Sequence, residues 1–197
     1  MLRFIGFYDY TVILTYTSLL SAMIGMFLSA QGRFTAAILC LMLSGLCDAF
    51  DGIVARTKKN RTDEEKRFGI QIDSLCDAVS FGVAPAVLCY HMGVNSMLGL
   101  VCSFLFVLCG VIRLAFFNVL EEKRQNTEGG SNKTYRGLPI TASSMLLPPV
   151  YLLRFVLAPA AFVVVLHVFL VICAFLFVLD ISVKKINWLK VLGVEKK

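Results

Sequence analysis

Six apolar runs, at roughly residues 10–30, 34–55, 70–90, 96–120, 138–158 and 160–183, leave this chain little freedom in what it can fold into. Each approaches the ~20 residues that an α-helix needs to cross the hydrocarbon of a bilayer. A water-soluble core cannot absorb them. Of the 197 residues, 58% are hydrophobic and only 16% charged, and the mean hydropathy is +0.78, so too few polar side chains remain to cover a surface. The expectation is an all-α integral membrane protein of six transmembrane helices, a single domain over residues 1–197. The first run follows Arg3 much as a signal peptide would, but it continues to Ala30 and is read as a retained first span. Residues 1–9, with Phe4, Phe7 and Tyr8 near Arg3, suit a short interfacial segment. Pro139, Pro148 and Pro149 predict a kink or break in the fifth span.

The net charge of +6 does not call for a nucleic-acid partner, because its distribution follows the positive-inside rule. With Arg3 on the cytoplasmic side, residues 56–67, the loop 121–136 and the tail beyond residue 183 fall on that side too. Sixteen Lys and Arg residues then lie inside, against Arg33 and Arg154 outside and Arg113 within the fourth span. Both termini are therefore expected in the cytoplasm, with the chain multi-pass in the cell membrane. The loop 121–136, with Gly129-Gly130-Ser131-Asn132 at its centre, reads as a mobile connection. The seven cysteines lie within the apolar spans without metal-ligand spacing and are read as small hydrophobes, with no disulfide and no zinc site.

Against this background four aspartates stand out: Asp48 and Asp51 in the second span, Asp73 and Asp77 in the third. A carboxylate in hydrocarbon is costly and marks a functional site. Helical spacing of three and four puts each pair on one face. Taking Arg56 and Gly69 as helix ends, Asp48 and Asp77 lie about 12 Å in, and Asp51 and Asp73 about 7.5 and 6 Å. On antiparallel neighbours the pairs can meet in one cavity open to the cytosol. Four carboxylates that close cannot all stay ionised without cations. A ligand set without His or Cys suits Mg²⁺ or Mn²⁺, and Ca²⁺ less specifically, and Mg²⁺ commonly completes its shell with substrate phosphates. Gly52 and Ala55 leave the helix face beside Asp51 thin, for a ligand or for another helix. Arg56 serves either a diphosphate or the positive-inside anchor.

The pattern Asp48-x-x-Asp51-Gly52-x-x-Ala55-Arg56 … Gly69-x-x-x-Asp73-x-x-x-Asp77 resembles the signature of the CDP-alcohol phosphotransferases, with all eight fixed positions present. The twelve residues between Arg56 and Gly69 exceed the usual family spacing and are read as a loop insertion. Within the family the chain is most similar to the phosphatidylserine synthases (CDP-diacylglycerol–serine O-phosphatidyltransferases). Three stretches carry that: Ser80-Phe81-Gly82-Val83-Ala84-Pro85-Ala86; Arg113-Leu114-Ala115-Phe116-Phe117-Asn118, with Phe116 where a second arginine is common; and Gly137-Leu138-Pro139.

The resemblance implies two divalent ions on Asp48, Asp51, Asp73 and Asp77, clamping the diphosphate of a CDP-lipid. It puts Gly52, Ala55, Arg56 and Gly69 beside the nucleotide and its phosphates, and makes Asp77 the general base toward the serine hydroxyl. Serine's carboxylate needs a cation, for which Arg113, Lys133 and Arg136 are candidates, while Asn118 and Ser80 could add polar contacts. Arg113 could instead pair with an aspartate. The resemblance also implies a homodimer. Two other readings stand beside the serine enzyme. One is the same fold acting on another alcohol, such as glycerol 3-phosphate or inositol phosphate. The other is a transporter of divalent cations, against which the far halves of spans two and three offer no polar path.

Overall fold

The first two spans form an antiparallel hairpin. In the structure, a computed structural model that describes residues 6–8, 10–55, 57–58, 62–126, 134–180 and 182–184, α1 (Ile13–Ala30) turns into α2 (Phe34–Ala55) at Gln31-Gly32-Arg33. The amides of Gly32 and Arg33 close the end of α1 on the carbonyls of Ser29 and Leu28, at 3.0 and 2.9 Å. Gly32 takes φ +74°, a conformation that costs glycine nothing. The side of α1 that is buried carries Thr15, Ser18, Ala22, Gly25 and Ser29, a stripe of small residues at three- and four-residue steps. Small residues let helix backbones approach, and their hydroxyls bond across the gap. Ser18 Oγ lies 2.8 Å from Ser44 Oγ, and Ser21 Oγ donates to the Cys40 carbonyl at 2.8 Å.

The third helix is longer than its apolar run. α3 (Asp63–Asp77) starts six residues before Gly69, at a capping box in which Glu65 N donates to Thr62 Oγ1 at 3.2 Å and Thr62 N donates to Glu65 Oε2 at 2.9 Å. The acidic first turn, Asp63, Glu64 and Glu65, suits the positive end of the helix dipole. The helix continues through one π turn, Ala78–Val83, into α4 (Ala84–His91). Pro85 has no N–H to give to the Phe81 carbonyl four residues back, and Ser143 Oγ donates to that carbonyl instead, at 2.9 Å.

α5 (Met97–Asn126) is 30 residues long, about 45 Å, and so runs past any bilayer core into what hydropathy assigns to the loop 121–136. β1 (Thr134–Arg136) pairs antiparallel with β2 (Ser182–Lys184), Tyr135 opposite Val183, a two-stranded ribbon absent from the all-α expectation. It ties the connection after α5 to the chain leaving α7 (Pro159–Val178), and Leu138 N donates to Leu176 O at 3.2 Å. The fifth span is not one long helix. α6 (Ser143–Leu152) holds Pro148 and Pro149 within it, and single 3₁₀ turns, Ile140–Ala142 and Leu153–Phe155, flank it.

Among the described residues, five helices are long and apolar enough to cross a membrane, the architecture of a multi-pass membrane protein: α1, α2, the composite Asp63–His91, α5 and α7. The core gathers where α4, α5, α6 and α7 meet, around Phe81, Leu88, Phe106, Leu147, Leu170 and Phe177, all at most 2% exposed. Exposed Leu39, Leu43, Leu46 and Phe50 on α2, and Phe104, Leu108 and Ile112 on α5, give these helices the apolar outer faces that lipid requires.

Candidate active site

α2 runs antiparallel to α3 without close backbone packing between them, and the carboxylates span the gap. The deeper member of one pair must meet the deeper member of the other. Asp48 lies at hydrogen-bonding range of Asp77, and Asp51 of Asp73. One carboxylate oxygen each from Asp48, Asp73 and Asp77 can be chosen so that all three lie within 4.8 Å of one another. Asp77 is only 9% exposed, and Asp48, Asp51 and Asp73 are half-buried. Two like charges about 4 Å apart repel by roughly 4 kcal/mol at the effective dielectric of a protein surface, so such a cluster needs a proton or a cation between its members.

The residues present fit a hard divalent cation. Asp73 Oδ1 is buried, and no donor among the described residues reaches it. A lone carboxylate oxygen buried without a donor is costly, and a cation among these oxygens removes the cost. The donors are all carboxylate oxygens, as Mg²⁺, Mn²⁺ and Ca²⁺ prefer. Asp51 has its own support: Thr15 Oγ1 on α1 donates to Asp51 Oδ2 at 3.1 Å. Thr15 is a residue of the site that the sequence did not single out, since a threonine in an apolar span looks like any small packing residue.

The glycines near the cluster differ in what surrounds them. A Cβ at Gly52 would meet nothing among the described residues, so no helix of the described chain covers the face beside Asp51. At Gly45, one turn before Asp48, a Cβ would overlap Ser144 Oγ, so this glycine serves contact with α6. Gly69 lies inside α3, half-buried, rather than at its start. The depth expected from the sequence changes accordingly: about 21 Å of helix separates Asp77 from the start of α3. Arg56 and Lys133 lie outside the described residues, as do the side chains of Ala55 and Arg136.

Of the acceptor-site candidates, Arg113 is 8% exposed and its guanidinium sits 4.4 Å from the centre of the Phe117 ring, one turn along α5. Asn118 Oδ1 accepts from Ser74 Oγ at 2.8 Å, and its Nδ2 reaches Gln71 Oε1 at 3.5 Å. Asn118 thus ties α5 to the face of α3 that follows Gln71, a structural duty that the sequence did not reveal. Ser80 is fully buried in the π turn that begins after Asp77, and its hydroxyl has no partner among the described residues.

Residues 11–179 match the family model of the CDP-alcohol phosphatidyltransferases. The archaetidylserine synthase of Methanothermobacter thermautotrophicus is 41% identical over 136 residues, 68% of this chain and 54% of that protein. A CDP-diacylglycerol–serine O-phosphatidyltransferase of Helicobacter pylori is 34% identical over 142 residues, 71% of this chain and 56% of its own length. The protein of the same name from Saccharomyces cerevisiae is 34% identical over 154 residues, 77% and 51% of the two chains. The matches thus span about half the length of these relatives. No solved structure matches.

Proposed function

Since the chain belongs to the CDP-alcohol phosphatidyltransferase family, we propose that it transfers a phosphatidyl group from a CDP-linked lipid to L-serine, giving phosphatidylserine, or its ether-lipid counterpart, and CMP. One observation carries the reading: two aspartate pairs from α2 and α3 meet in a single cluster beside the open face at Gly52. The names of the relatives favour serine over glycerol 3-phosphate or inositol phosphate as the acceptor.

In this proposal Asp48, Asp51, Asp73 and Asp77 hold two Mg²⁺ or Mn²⁺ ions. When bound, these supply the positive charge that neutralises the diphosphate and stabilises the leaving phosphate. Gly52, Ala55, Arg56 and Gly69 border the nucleotide and its phosphates, with the missing Cβ at Gly52 admitting them close to the backbone. Asp77 accepts the proton of the serine hydroxyl. The serine oxygen forms its bond to the lipid-side phosphorus, the bond from that phosphorus to CMP breaks, and CMP departs with the electron pair. Arg113, Lys133 and Arg136 are the cations proposed for the serine carboxylate. Ser80, whose buried hydroxyl has no partner among the described residues, and Asn118 are proposed as polar contacts to the amino acid.

Six crossings with both termini cytoplasmic, and the aspartates facing the cytosol of the cell membrane, belong to the same proposal. The bond from Leu138 N to Leu176 O and the short link 156–158 between the turn after α6 and the start of α7 support α6 as the sixth crossing, antiparallel to α7. A homodimer is proposed on the family resemblance alone. The deciding experiment measures CMP release by the purified protein from CDP-diacylglycerol with each metal and acceptor. Serine-dependent release is expected. Release on glycerol 3-phosphate and not on serine would sink the serine reading, and metal flux into proteoliposomes without CMP formation would favour a transporter.

A further inference from the structure

Far from the aspartates the bundle holds a second concave site. Phe34 precedes Asp48 by fourteen residues and His91 follows Asp77 by fourteen, so about 21 Å of helix separates the carboxylates from a cavity of about 250 Å³ at the opposite end. Its walls come from the starts of α2 and α7, the end of α4 and the turn after α6. Met92, Leu157, Phe162 and Val163 make much of it apolar. Three polar features break that lining.

Arg154 lines the cavity with its guanidinium 4.9 Å from the centre of the Phe34 ring, a stacking contact that holds the charge in place. Among the described residues no carboxylate pairs with it. The amino end of α7 also borders the cavity. Pro159, in its first turn, lines the wall, and Ala158, at the cap, offers no side-chain bond, so the uncapped positive end of the helix lies beside the cavity. His91 supplies the third feature. Ser29 Oγ donates to Met26 O at 2.7 Å, so its lone pair is left to accept from His91 Nδ1–H at 2.8 Å. In the neutral ring Nε2 is then a hydrogen-bond acceptor.

A cation and the positive end of a helix for an anion, an acceptor for a hydroxyl and a wall of Met92, Leu157, Phe162 and Val163 together describe an amphiphile. We propose that this cavity binds the head group of an anionic phospholipid from the leaflet at that end of the bundle. The phosphate lies on Arg154 and the amino end of α7, and a head-group hydroxyl donates to His91 Nε2. The site is separate from the aspartate cluster and does not depend on the reaction proposed there.

The test titrates delipidated protein with phosphatidylglycerol, phosphatidylcholine or inorganic phosphate, with a chelator present to silence metal-dependent binding at the aspartates, and reads retention by native mass spectrometry. One phosphatidylglycerol per chain is expected, with phosphatidylcholine about tenfold weaker and phosphate not retained. Arg154→Gln should abolish that preference. Arg33→Gln, which removes an exposed arginine of the same end that does not line the cavity, should keep it. Equal retention of the two lipids, retention of phosphate alone, or equal losses in the two variants would overturn the proposal.

Discussion

Asp77 and Gly52 set the chemistry at the scale of single residues, and each carries a prediction. Asp77 combines deep burial with contact to Asp48, so Asp77→Asn keeps the shape and removes the base. CMP release should fall by at least about 100-fold, while CDP-lipid binding, followed by calorimetry, stays measurable. Near-normal turnover would reject Asp77 as base. Asp48→Asn should instead weaken metal and CDP-lipid binding together. The glycines separate packing from ligand access. Gly45→Ala pushes a methyl into Ser144 and should cost about 1–3 kcal/mol in unfolding free energy. Gly52→Ala meets open space, so stability should stay level or rise by up to about 1 kcal/mol, while the KM for CDP-lipid rises severalfold. A stability loss at Gly52 as large as that at Gly45 would count against an open ligand face.

Elements show where local rules were bent to build the site. The π turn Ala78–Val83 follows directly on Asp77, and Pro85 prevents the usual bond to Phe81 O. Ser143→Ala leaves that carbonyl unpaired and should destabilise the protein by about 1–3 kcal/mol. In a Pro85→Ala background, where residue 85 regains its N–H, the same change should cost less, a coupling that a thermal-unfolding double-mutant cycle measures. Additive effects would refute the compensation. The aspartates were legible in the sequence because charge in an apolar span is conspicuous, and antiparallel α2 and α3 followed from hydropathy. The true start of α3 was not read, since Asp63–Arg67 hides it from hydropathy, although Thr62 and Glu65 form a recognisable capping box. The π turn was invisible because hydropathy carries no information about pitch. Pro139, Pro148 and Pro149 suggested a kink or break near the middle of the fifth span; α6 carries Pro148 and Pro149 within it, and the helix gives way to 3₁₀ turns at both of its ends.

Across the whole molecule, polar groups concentrate toward one end of α2 and α3, while the centre of the bundle closes on Phe81, Leu88 and Phe106. That closed centre suits one-sided chemistry better than passage through the membrane. The proposed orientation places Arg33 and Glu64 on opposite sides of the bilayer. Single cysteines introduced at these exposed positions in a cysteine-free background, in sealed vesicles of known sidedness, should react with an impermeant thiol reagent from opposite sides. Labelling of both from one side would refute the orientation. The hydroxyl contacts between α1 and α2 also bear on biogenesis. During synthesis α2 brings Asp48 and Asp51 to the translocon before any of α3 exists. Thr15 and Ser18 arrive one helix earlier, already placed to shield the descending carboxylate and serine. The hairpin can therefore partition into lipid as a unit, half of an acidic site waiting for its complement.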